Sequence, residues 1–149
     1  MQVLIIKTSS LGDVIHSLPA LTDASKEIPH INFDWVVEEN FAEIPNWHPL
    51  VNTVIPVALR RWRKHPIKSL FSKEWRDFRH KLKAKKYDVI IDAQGLIKSA
   101  VLCYMAKGLR IGLNKQSLTE PIARFAYQKT VNVDLQQHAV YRMRSIFAQ

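Results

Sequence analysis

Val3-Leu4-Ile5-Ile6-Lys7-Thr8-Ser9-Ser10-Leu11-Gly12-Asp13-Val14-Ile15-His16-Ser17-Leu18-Pro19-Ala20-Leu21 is the stretch from which the architecture is read. Its first four residues form a short uninterrupted apolar run, the pattern of a strand buried on both faces of a parallel sheet. From Val14 the spacing turns helical, with Val14, Leu18 and Leu21 on one stripe. A strand, a loop and a helix at the start of an α/β chain put the loop at a carboxyl strand end, where open sheets bind ligands. That loop holds serine hydroxyls, Gly12 and Asp13, and Lys7 is its only other ionisable group.

Further along the chain, strand patterns occur at Gln2–Lys7, Ile31–Val37, Thr53–Val57, Tyr87–Asp92 and Thr130–Val133, with a weaker one at Arg110–Leu113. Helical patterns occur at Asp13–Glu27, Ser72–Lys85, Ile97–Lys107, Glu120–Tyr127 and Gln137–Phe147, with a short one at Phe41–Ile44. Pro29 and Pro45 end their helices, Pro121 suits a first turn, and Ser72 is a good N-cap. Strands and helices alternate, so the expected fold is α/β: a Rossmann-like doubly wound parallel sheet. No internal repeat or low-complexity linker divides it, and residues 1–149 read as one domain.

In the common doubly wound order the first and fourth strands are neighbours and the connection reverses between them. The loop after the first strand then lies beside Asp92-Ala93-Gln94-Gly95 after the fourth. Arg60-Arg61-Trp62-Arg63-Lys64 follows the third strand by a few residues, on the same edge. Three polar clusters converge there.

A chain of 149 residues, 47% hydrophobic and 23% charged, has the make-up of an ordinary globular domain. No apolar run approaches the roughly 20 residues that span a bilayer, and no secretory signal opens the chain, so a cytoplasmic location is expected. The lone Cys103 rules out an internal disulfide, agrees with a reducing compartment and sits in an apolar helix as a core residue. The net charge of +9 is concentrated: twelve of the 22 lysines and arginines fall between Arg60 and Lys86, against Glu74 and Asp77 alone. Such a block favours anionic partners.

The first loop is no nucleotide cradle, because neither a three-glycine dinucleotide fingerprint nor a Gly-Lys-Ser/Thr P-loop is present. Gly12 lets a ligand approach the backbone, and Ser9 and Ser10 can donate to it. Asp13 admits two readings: a cap for its helix, or a general base for a hydroxyl nucleophile. In either, the helix dipole and free amides keep it ionised. Asp92-Ala93-Gln94-Gly95 is a turn and cap, or a site in which Gln94 and the Gly95 amide hold sugar hydroxyls and Lys98 meets an anion. His16 faces the same crevice or packs on the surface. The six histidines lack metal spacing and one cysteine offers no zinc set. The Arg60–Lys64 block is a solvated loop or a set of forks for phosphates and carboxylates. In Ser72–Lys85, Trp75, Phe78 and Leu82 share one stripe with cations elsewhere. It is an ordinary surface helix or a basic element lying on an anionic membrane.

Lys7-Thr8-Ser9-Ser10-Leu11-Gly12-Asp13-Val14-Ile15-His16-Ser17-Leu18-Pro19-Ala20 resembles the opening of the lipopolysaccharide heptosyltransferases of glycosyltransferase family 9. So do Phe33-Asp34-Trp35-Val36-Val37-Glu38-Glu39, Arg60-Arg61-Trp62-Arg63-Lys64, Asp92-Ala93-Gln94-Gly95-Leu96 and Gln136-Gln137-His138-Ala139-Val140. Thr8-Ser9-Ser10 with the basic block favours members that add the first heptose over those that add the second. The resemblance implies a GT-B enzyme of two Rossmann-like halves, of which this chain is the N-terminal, acceptor-binding one, without the donor-binding half. It implies transfer of heptose, with inversion, from ADP-L-glycero-D-manno-heptose to the Kdo of Kdo-lipid A in the lipopolysaccharide inner core. Asp13 then matches the general base. Arg60, Arg61, Arg63 and Lys64 match the cations that meet the acceptor, with Ser10, Gly12, Gln94, Gly95 and Lys98 beside them. No metal or other cofactor is implied, and no nucleic acid partner; the implied location is peripheral on the cytoplasmic face of an anionic inner membrane. Relatives carry an arginine before the Glu120-Pro121 pair, where this chain has Thr119. The isolated 149 residues are expected to bind acceptor weakly and turn over nothing. Two other readings stay open: an inactive truncated fragment, and a basic module for anionic lipid or nucleic acid.

Overall fold

The computed structural model of the chain describes residues 1–134 and 136–148. Strands β1 (Gln2–Ile6), β2 (Asn32–Glu38), β3 (Val51–Val57), β4 (Lys86–Asp92), β5 (Lys107–Leu113) and β6 (Lys129–Val131) form one sheet in the order β3-β2-β1-β4-β5-β6. Every pairing is parallel. The apolar run of β1 lies at the centre, and Leu4, Ile5 and Ile6 are fully buried. Burying each such side chain contributes about 1.5–3 kcal/mol relative to leaving it in water.

The longer helices are α1 (Leu11–Glu27), α4 (Lys73–Lys83), α5 (Ile97–Met105) and α6 (Ala139–Phe147); α2 (Leu59–Trp62) and α3 (Pro66–Leu70) are one turn each. With right-handed crossovers, β1–α1–β2 runs one way along the sheet and β4–α5–β5 the other, so α1 and α5 cover opposite faces. Helix α6 returns to pack on α1, and α4 packs beside α5. On α1 the predicted stripe is the inward one, with Val14 and Leu21 fully buried. Cys103 is a core residue, its thiol pushed up by burial. Ser72 caps α4, accepting the Trp75 N–H at 3.1 Å.

Several local expectations are corrected. The expected short helix Phe41–Ile44 is two 3-10 turns, Glu39–Phe41 and Ile44–Trp47. Pro45 lies in the first turn of the second rather than ending a helix; its fixed φ and missing N–H suit that position. Glu120–Tyr127 is also 3-10, at Pro121–Ala126. The basic block is not a loop: Arg60, Arg61 and Trp62 are in α2, one turn too short for periodicity to reveal. Lys7 lies just past β1, β5 is longer than its weak signal, and β6 is shifted toward Lys129.

The register aligns the strand ends. Ile6 pairs with Val36 and Asp92, and Glu38 pairs with Val57. The segments after β1, β2, β3 and β4 therefore leave the sheet along one rim.

Candidate active site

Lys7–Ser10 is bonded to the strands on both sides of it. The Lys7 N–H donates to Val36 O (3.2 Å), the Glu38 N–H to Thr8 O (3.1 Å) and the Trp35 indole N–H to Lys7 O (3.1 Å). From the β4 side, Gln94 Oε1 accepts the N–H groups of Thr8 (3.2 Å) and Ser9 (3.1 Å).

This frame presents Asp13, the third residue of α1. Its Oδ2 accepts the Ser10 N–H at 3.1 Å and the Ser10 hydroxyl at 3.3 Å, and lies 3.8 Å from Lys7 Nζ. The carboxylate caps α1, the first of the two sequence readings, and, 38% exposed, opens to the rim. Oδ1 makes no hydrogen bond among the described residues, so the carboxylate keeps a free acceptor. Partial burial pushes the Asp13 carboxyl up. The Lys7 ammonium, the Ser10 bonds and the Arg142 charge outweigh it and hold the carboxyl below its ordinary value. Lys7 itself is buried, which pushes its ammonium down against the pull of Asp13 and Asp92. Ser10 is exposed, and a methyl group on Gly12 would meet only His16 Cε1, at 4.0 Å, so the mouth beside the acid is open. His16 lies 5.6 Å, ring centre to ring centre, from His138 just before α6.

The turn after β4 is built around Asp92. One oxygen accepts the Gln94 N–H (2.9 Å) and the Gly95 N–H (3.1 Å); the other accepts the Tyr127 hydroxyl (2.7 Å). Burial pushes the Asp92 carboxyl up, against those bonds. Gly95 is buried at φ 71°, and a Cβ there would stand 3.1 Å from Leu113 and Leu118. The expectation that the Gly95 amide holds a sugar hydroxyl is therefore corrected, because Asp92 takes that N–H inside the fold. Gln94 offers only its NH2 group, as its carbonyl oxygen holds the β1 loop.

The basic block divides. Arg61 forks between two carboxylates, Glu39 (3.1 and 3.0 Å) and Glu74 (2.9 Å from Nη1 to Oε2), and Glu74 also accepts the Trp62 indole N–H (2.9 Å). The Arg61 and Trp62 bonds hold the Glu74 carboxyl down at about 2. Arg61 thus ties the end of β2 to α2 and α4 and carries little free charge outward, which corrects its expected role as a ligand-facing cation. Arg60 donates its N–H to Glu38 (3.0 Å) and sets its guanidinium 5.5 Å from the Phe41 ring centre. Arg63, Lys64 and Lys98 are exposed and lie near no carboxylate among the described residues. Arg63 and Lys98 line one groove of about 290 Å³ with Trp62, Leu70 and Trp75, so the α5 cation and the α2 block do meet. β3 is two strands from β1, so the ends of those two strands stand about 10 Å apart on the rim.

The roles of Lys7, Glu39, Glu74, Tyr127 and Arg142 were not read from the sequence. Glu39, Tyr127 and Arg142 act on groups in other crossover units, and Lys7 and Glu74 on ones in their own unit that no helix or strand period brings together. Among the described residues no group of three His, Cys, Asp or Glu could hold a metal ion, and no helix is long and apolar enough to cross a membrane.

The sequence profile of glycosyltransferase family 9 (heptosyltransferase) matches residues 75–149. The chain is 58% identical over 150 residues to lipopolysaccharide heptosyltransferase 1 of Pseudomonas aeruginosa, covering 100% of this chain and 42% of that protein. It is 53% identical to the protein of that name from Escherichia coli K12, again over 150 residues, covering 47% of it. The structure of E. coli heptosyltransferase WaaC with ADP-2-deoxy-2-fluoro heptose superposes with a TM-score of 0.93 at 55% identity, over 99% of this chain and 47% of that one. A family 9 glycosyl transferase from Veillonella parvula, 20% identical, shares the fold with a TM-score of 0.79 over 99% of this chain and 40% of that one. The chain thus spans less than half the length of these relatives.

Proposed function

Because the chain belongs to glycosyltransferase family 9, the heptosyltransferases, we propose that residues 1–149 form the acceptor-side half of an inverting heptosyltransferase. The reaction is transfer of L-glycero-D-manno-heptose from ADP-heptose to the Kdo of Kdo-lipid A, in building the lipopolysaccharide inner core. It takes place on the cytoplasmic face of the inner membrane. The observation that carries the reading is Asp13, ionised and half-open at the sheet rim with Lys7 behind it and unpaired cations along the same rim.

In this reaction Oδ1 of Asp13 takes the proton from the attacking Kdo hydroxyl. The Kdo hydroxyl oxygen forms the new bond to the anomeric carbon as the bond from that carbon to ADP breaks on the opposite face. ADP departs with the bonding electrons, and the configuration inverts. Lys7 and Ser10 hold Oδ2, which leaves Oδ1 to take the proton. A positioned base of this kind contributes about 10²–10⁴-fold to rate. Ser10, Gly12 and the Gln94 NH2 group line the sugar's approach. Arg60, Arg63, Lys64 and Lys98 meet acceptor carboxylates and phosphates.

The test joins this chain in cis to the C-terminal half of the P. aeruginosa relative and follows heptosyl transfer to Kdo-lipid A. Asp13→Asn should lower kcat by at least about 100-fold with acceptor KM little changed. A basic binding module, by contrast, gives no role to Asp13. Transfer undiminished in that variant would overturn the reading.

A further inference from the structure

Helix α3 is built inside out. Ile67, Leu70 and Phe71 stand at i, i+3 and i+4, one helical face. They are 75%, 55% and 81% exposed. Small, polar Ser69 turns the other way, half-buried, with its hydroxyl on Trp62 O at 3.3 Å. Lys64, Lys68, Lys73 and Arg76 flank the apolar residues along α3 and the start of the packed α4, all exposed and near no carboxylate among the described residues. Glu74 is bonded to Arg61 and Trp62, and the neighbouring groove is walled by Leu59, Pro66, Leu70 and Trp75. The Ser72 cap of α4 fixes the backbone just after Phe71, so the face is presented rigidly.

Three large apolar side chains pointed at solvent from one turn, flanked by unpaired cations, match an interface of apolar depth beneath anionic headgroups. We propose that the α3–α4 face docks on an anionic lipid bilayer, with Ile67, Leu70 and Phe71 entering the headgroup layer and the four cations on lipid phosphates. The inference deepens the proposed function, resting on it only for why a bilayer should lie beside the acceptor rim. It names the surface that brings the Arg63 and Lys98 groove to a lipid-borne acceptor.

The experiment is co-sedimentation of the chain with vesicles of phosphatidylethanolamine and phosphatidylglycerol, and with phosphatidylcholine vesicles, all free of any Kdo-lipid. Binding is expected on the anionic vesicles alone. One basic side chain at an anionic surface is worth about fivefold in partitioning. Lys68→Glu with Lys73→Glu should therefore weaken binding at least about tenfold, and Ile67→Ser with Phe71→Ser at least about fivefold. Lys115→Glu with Lys129→Glu changes the net charge identically at a distance from the face, and should alter binding less than about twofold. Circular dichroism checks that each variant folds. Equal losses from the two charge pairs, retention of binding by the Ile67/Phe71 variant, or equal binding to both vesicle types would each overturn the docking face. Transfer activity is not read here, so a failure of this face and a failure of the Asp13 mechanism are told apart.

Discussion

Replacing Tyr127 with phenylalanine removes one oxygen atom from the interior. The hydroxyl donates to Asp92 at 2.7 Å, and Asp92 is fully buried at the end of β4. The ring keeps its place, because Gly112 leaves room for it: a Cβ there would stand 2.5 Å from the Tyr127 ring. What is lost is a hydrogen bond to a carboxylate, with one oxygen left buried and unsatisfied, at a cost of about 2 kcal/mol. For a domain of this size that is a fall of about 4–8 °C in the unfolding midpoint. The sign of its pH dependence follows from burial. Asp92 already has a folded-state value above the ordinary 3.8, and removing the Tyr127 bond, which opposes that rise, pushes it higher. A raised acid favours folding at low pH and loses that advantage as pH rises through the folded value. The penalty should thus open as pH rises and narrow in acid, where both proteins carry the neutral carboxyl. Asp92 also fixes the turn whose Gln94 side chain holds Thr8 and Ser9, so hydrogen exchange at those two amides should quicken more than in β2. Urea unfolding in acid and neutral buffers gives the free energies. A loss below about 0.5 kcal/mol at neutral pH, or the same loss in acid, would refute the account.

Other outcomes follow from the same geometry. Gly112→Ala should destabilise by about 2 kcal/mol or more, since the new methyl group meets a buried aromatic ring rather than a flexible side-chain end; thermal unfolding measures it. Arg63→Ala with Lys98→Ala should raise the acceptor KM of the joined enzyme by about tenfold or more and leave kcat within about twofold, as steady-state kinetics would show. Arg61→Ala should lower stability while changing acceptor KM less than the Arg63 and Lys98 pair does, since its guanidinium is held by Glu39 and Glu74. Glu74 has a depressed folded value, so its contribution is present above its ordinary 4.5 and lost as pH falls toward about 2. The urea midpoints of Glu74→Gln and the parent should converge over that range.

The central strand and the strand order were legible because β1 is a run that only a two-sided core accommodates and the common doubly wound order sets the fourth strand beside it. The alternation with helices then left few topologies. That topology also brought the Asp13, Gln94 and Arg60–Lys64 segments to one rim. What the sequence did not disclose is which groups at that rim are already engaged. Arg61 and Arg63 look alike in the chain, but Glu39 and Glu74 reach only the first. Gly95 reads as a donor until Asp92 is seen to take its amide. Single-turn elements such as α2 and the 3-10 turns around Pro45 and Pro121 are too short for periodicity, and only the two 3-10 turns carry a local sign, a proline in the first turn.

Among the described residues, the bonds that seat the Asp13 loop come from β2, Trp35 included, and from Gln94, and none from α2 or α3. The acid and its cradle therefore form one inheritance and the cationic shoulder another. On the proposed reaction, variation in α2–α3 would retune which sugar-lipid is welcomed while Asp13 and its cradle stay as they are. Conversely, a change at Trp35 or Gln94 would be felt alike by every acceptor the shoulder admits.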